Sequence, residues 1–165
     1  MINKKELIKE LKEKFEETKK KLAFKAEFDE IEHFFFLTDH ILEQGYVSER
    51  FERQLCLRLI SSYYSWMGEF HAWIMPPPGN IITHTEYKAF LEDEKEIVKF
   101  LIKKTMYFFR KDKLNAFKDD YKKMGETIDE MVEYREKYTG FMNKLLEKKK
   151  KNWEKELEED KLNKE

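Results

Sequence analysis

One cysteine, three prolines and five glycines are all that these 165 residues hold of the types that staple, break or free a backbone. A single cysteine excludes a disulfide framework and a multi-thiolate zinc site within one chain. Cys56 lies in an apolar run, where it reads as a small core residue. So few glycines and prolines leave too few turns for a sheet protein. No stretch approaches the ~20 consecutive apolar residues that a membrane-spanning helix needs. The opening residues, MINKKELIKELKEK, alternate charge with Ile and Leu and lack the apolar centre of a secretory signal, so a cytoplasmic location is expected. An excess of either charge is also missing. With 33 Lys and Arg against 34 Asp and Glu, the net charge is −1, so any affinity for polyanions needs a local basic face. P-loop, Rossmann, HExxH, zinc-ribbon and EF-hand patterns are absent, and with them the usual supports for nucleotide hydrolysis, dinucleotide chemistry and common metalloenzymes.

What is present is 41% hydrophobic residues, including 14 Phe, 8 Tyr and 3 Trp, beside 41% charged residues. That balance suits long helices with solvated faces around a sizeable core. The reading is all-α: one domain, an up-and-down four-helix bundle whose long first and last helices form an antiparallel, coiled-coil-like extension. The expected helices span 2–44, 49–75, 83–111 and 114–160, with a tail at 161–165.

The strongest boundary lies in ISSYYSWMGEFHAWIMPPPGNIITHTE, residues 60–86. Proline lacks the N–H that a helix needs and drives its neighbour out of the α region, so Pro76, Pro77, Pro78 and Gly79 end one helix before the next begins. Thr83 with Glu86 reads as a capping box, and Ile82 with Tyr87 as its hydrophobic staple. In the first helix Ile8, Leu11, Phe15 and Leu22 keep helical spacing, then the phase slips before Phe24, Phe28, Ile31 and Phe35. Gly45 reads as the residue that ends this helix, and Ser48 as the cap of the next. In the second helix Phe51, Leu55, Leu59, Tyr63, Trp66, Phe70 and Trp73 form the core face, while Ser61, Ser65, Gly68 and Ala72 make a small-residue stripe suited to a close crossing. The run RKDKLNAFKDD has no Gly or Pro, and a short turn capped by Asp112 or Asn115 is expected there. Beyond it Leu114, Phe117, Tyr121, Met124, Ile128, Met131, Arg135, Tyr138, Met142 and Leu145 alternate spacings of three and four.

Candidate chemistry is thin. Glu30 and His33 form the ExxH pair by which ferritin-like bundles place two metal ligands on one helix face, but no second ExxH accompanies it. Neither a metal nor another cofactor is expected. Glu69, a lone acid among Trp66, Phe70 and Trp73, calls for a buried cationic or hydrogen-bonding partner. No nucleophile with an activating base is visible, so the chain reads as no enzyme.

Two surfaces remain. The Pro-rich loop, with Trp73, Met75, Pro77 and Ile81, together with a seam of Ile8, Leu11 and Phe15, is the expected site for a protein partner, and the seam could also join copies of the chain. Rigid loops presenting apolar groups lose little freedom on binding. Lys103, Lys104, Arg110, Lys111 and Lys113 surround Tyr107, Phe108 and Phe109, the mixture that nucleic-acid surfaces use for phosphate contact and stacking. The leading expectation is therefore a non-enzymatic interaction module or small assembly subunit. A nucleic-acid-associated accessory protein is the alternative, and a ferritin-like metal site the third reading.

Overall fold

Eight helices and no strand make up residues 3–162, the residues that the structure, a computed structural model, describes. In chain order they are α1 (Lys4–Leu22), α2 (Phe28–Phe35), α3 (Leu37–Gln44), α4 (Phe51–Tyr64), α5 (Met67–Ile74), α6 (Ile81–Lys88), α7 (Glu92–Phe117) and α8 (Tyr121–Leu162). The expected start at residue 2 and the tail beyond residue 162 lie outside the described residues. All-helical architecture thus holds, but each of the first three expected helices is divided.

The helix expected over 2–44 is three. Ala23 takes the left-handed conformation (φ 55°) and ends α1. The next turn is held by Asp129, whose carboxylate accepts the N–H of Lys25 at 2.8 and 3.0 Å and of Ala26 at 2.9 Å. Phe36, also left-handed (φ 50°), separates α2 from α3. There Glu32 accepts both the backbone N–H and the hydroxyl of Thr38 at 2.8 Å. Gly45 ends α3 with φ 78° and donates its N–H to Ile41, as its position in the sequence suggests. Ser48 accepts the N–H of Arg50, and α4 begins at Phe51.

The helix expected over 49–75 is interrupted at Ser65 and Trp66. Ser61 and Ser65 turn their hydroxyls back to the carbonyls of Arg58 and Ser62, both at 2.9 Å, a competition that loosens helices. Asn80, rather than Thr83, caps the helix after the prolines, accepting the N–H of Thr83 at 3.1 Å. That helix, α6, ends at Lys88, and α7 starts at Glu92. A turn does follow α7, but later than expected: residues 112–117 stay helical, with Asp112 and Asn115 bonded to Arg53 and Thr127, and the chain turns at Asp119 (φ 48°). Its cap is Asp120, which accepts the N–H of Lys123.

The chain divides into two compact units. The first is built from the residues up to Ser65 with Thr105–Glu136, the second from Trp66–Lys104 with the residues from Lys137 on. In the first unit α1 packs against α3 and α4. Leu11 and Phe15 are fully buried and Ile8 partly so, which corrects the expectation of a projecting seam. Burying such side chains stabilises by about 1.5–3 kcal/mol each, so the fold covers this seam itself. Phe15 meets Phe24 and Phe28 edge-on, while Phe35, Tyr63, Phe108 and Tyr134 form a continuous aromatic row. The Tyr63 hydroxyl donates to the carbonyl of Met131.

In the second unit Phe70 touches Trp66, Trp73 and Tyr138, and Trp73 touches Phe90. Leu59, Tyr63 and Phe70 are buried as the core face requires, whereas Trp66 is half-buried. The small-residue stripe is not a crossing: Ser61, Ser65 and Gly68 are exposed, and a Cβ added to Gly68 would meet nothing within 4 Å. Among the described residues, no helix is long and apolar enough to cross a membrane.

Candidate functional site

The Pro-rich loop joins α5 to α6 in the second unit. Its geometry follows from Gly79 (φ 78°), an N–H of Asn80 donated to the Pro77 carbonyl, and the Asn80 cap. Trp73 is buried in the core, so it belongs to the fold. Met75 is 64% exposed, Ile81 81% and Ile82 62%, and Pro77 is exposed between them. Large apolar side chains so open to water, on a segment stiffened by three prolines, form a patch that no element among the described residues covers.

In the same unit Lys149 occupies an unexpected position. Its side chain is buried, with Nζ 4.2 Å from the ring centres of both Trp73 and Phe90. Glu86 Oε2 lies 3.2 Å away, an ion-pair contact without hydrogen-bond geometry. The other oxygen of Glu86 accepts the indole N–H of Trp153 at 3.1 Å. Burial pushes the Lys149 ammonium below its ordinary pKa, against the pull of Glu86 and Glu69. Glu69 itself is exposed, contrary to the buried partner expected for it. Partial burial and then Glu86 raise its carboxyl, with Lys149 acting in the opposite sense. Because Nζ is sealed from solvent, the cluster is a packed cation–π core rather than a reactive amine.

The basic cluster is split between the units. Lys103 and Lys104 belong to the second, Arg110, Lys111 and Lys113 to the first. Lys111 is bound to Glu130 at 2.6 Å and lies over the Tyr107 ring. Burial lowers its pKa, but hydrogen bonds to Glu130 and Tyr107 outweigh that and raise it. Arg110 and Lys113 lie over the ring of Phe109 at 5.3 and 5.0 Å. Phe108 is buried, so only part of the aromatic set is available at the surface. Beside it, Tyr107, Arg110, Leu114 and Lys123 line an open groove of ≈ 410 Å³.

Compared with known proteins, the chain matches no family model, no curated protein and no solved structure.

The remaining candidates resolve into structural roles. Glu30 accepts the N–H of Glu27 in a capping box, and His33 packs edge-on against Phe34. Among the described residues, no three His, Cys, Asp or Glu side chains converge as metal ligands. Glu30, Asp129, Glu133 and Glu136 line a pocket of ≈ 370 Å³ in the first unit, but Glu30 and Asp129 are already engaged by backbone N–H groups. The Cys56 thiol is pushed up to about 12 by burial and by Asp112, which rules it out as a nucleophile.

Lys149, one of four consecutive lysines at 148–151, is not among the candidates named from the sequence. The signal was present: continuing the alternation Tyr138, Met142, Leu145 by four residues reaches position 149. A lysine at a core register position is a buried cation whose stem packs apolarly.

Proposed function

We propose that this chain is a non-enzymatic helical interaction module, a small subunit of a larger assembly, that engages a protein partner through the loop between α5 and α6. The observation that carries this reading is the exposure of Met75, Ile81 and Ile82 around a proline-stiffened turn. Hot-spot contacts are made where apolar groups are presented at low ordering cost. In this reading Pro77 and Ile81 contact the partner, while Trp73 supports the loop from the core. Leu11 and Phe15 take no part, being buried.

A photo-cross-linking residue in place of Ile81, in the full chain, tests the reading in extracts of cells that make the protein. A discrete adduct is expected, lost when Met75→Asp and Ile82→Asp are added although the melting temperature stays the same. Cross-linking no stronger than from exposed Ser61 would sink the proposal.

A further inference from the structure

We propose that the groove beside the α7–α8 turn, in the first unit, is a separate docking site for an acidic amphipathic helix of a protein partner. The first support is its apolar stripe. Tyr107 and Leu114 are 47% and 53% exposed and lie two helical turns apart on one face of α7, with Phe117 94% exposed beyond them. Helices recognised in grooves present anchors at this kind of spacing, one or two turns apart.

The second support is a charge imbalance that the sequence conceals. Along 110–126 six cations stand beside four acids, and most of those acids are already engaged. Asp112 holds Arg53 through two contacts at 3.1 and 3.3 Å. Asp119 pairs with Arg50 at 3.6 Å, Asp120 caps α8, and Glu130 holds Lys111. Among the described residues Arg110, Lys113, Lys118, Lys122 and Lys123 have no carboxylate at ion-pair distance. Glu126 is the one acid lining the groove. A surface that is locally basic around an apolar stripe complements a ligand that is locally acidic around apolar anchors.

The same geometry favours a peptide over a single-stranded nucleic acid. Stacking needs open ring faces in succession. Here the chain's own cations cover them: Arg110 and Lys113 lie over Phe109, Lys111 over Tyr107 at 5.5 Å, and Lys21 over Tyr121 at 4.4 Å. Among the described aromatic residues beside the groove Phe117 alone is left open, and one ring is no platform for successive bases.

The test uses the full chain and a labelled model peptide of about four helical turns, with leucines along one face and glutamates elsewhere. A peptide of the same composition with its leucines scattered is the control. The leucine-faced peptide should bind, more weakly as salt rises, and at least about tenfold tighter than the control. Arg110→Glu with Lys123→Glu should weaken it by about tenfold or more, as should Leu114→Ala, with melting unchanged. Ile81→Asp should leave it unaltered, which separates this site from the loop described above. Equal binding of both peptides would overturn the proposal. So would oligo-dT binding as tightly as the leucine-faced peptide with the same dependence on Arg110 and Lys123, since that would assign the groove to nucleic acid.

Discussion

Lys149 holds its ammonium between two rings instead of in water, and the stability of the second unit should record the fact. Its pKa in the folded protein lies below the ordinary 10.5 because burial disfavours the charged form. Between that depressed value and 10.5 the unfolded chain binds more protons than the folded one, so this residue makes unfolding free energy rise with pH. Below the folded value both states are protonated, and the full cost of burying the charge is carried. Lys149→Met should therefore compare least well with wild type at the alkaline end. Denaturant unfolding of both proteins at pH 8 and pH 10 measures the difference, and Lys95, Lys99 and Lys111, whose pKa values are raised, are common to both and cancel. A wild-type-minus-variant difference that stays flat, or falls as pH rises, would show that the ammonium is not desolvated. The position was legible from register alone, but the pairing with Glu86 was not, because nothing in the sequence says which acid a buried cation meets.

Helices meet closely at a different place from the one the sequence marks. Gly68 belongs to a regular small-residue stripe, yet it faces open space. Gly125, outside that stripe, is the tight point: a Cβ there would lie 2.0 Å from the carbonyl oxygen of Leu22 at the end of α1. A backbone atom cannot yield as a flexible side chain does, so Gly125→Ala should destabilise by about 1–3 kcal/mol despite the better helix former. Gly140→Ala, with nothing within 4 Å, should instead stabilise by up to about 1 kcal/mol. Equilibrium denaturation of the pair checks both, and a neutral or stabilising Gly125→Ala would mean that α8 does not press on α1 there. Breaks were legible where a residue type forces them, as at Gly45 and the three prolines. At Ala23 the sequence shows only a slip in phase and at Phe36 no break at all, since neither residue type favours the left-handed conformation; the chain just after Ala23 is held by Asp129, far away in sequence.

Across the whole molecule the helices differ in how firmly they are held. α4 buries eight residues, α5 buries Phe70 and Trp73, and α6 buries none. Local opening follows such differences, so hydrogen exchange should be fastest in α6, slower in α5 and slowest in α4. Equal protection in α4 and α6 would contradict this order. All-helical character was legible from composition, since scarce turn formers and abundant charge leave little else. The division into two units was not, because α7 and α8 run without a break through the residues where one unit gives way to the other.

Cys56 gives the first unit a clock of its own. The chain has one thiol, fully buried and, with its pKa near 12, almost wholly in the unreactive form at neutral pH. An electrophilic label reaches it only when α4 separates from its neighbours. The rate of labelling then reports how often that core opens, in the unaltered protein and without any engineered probe.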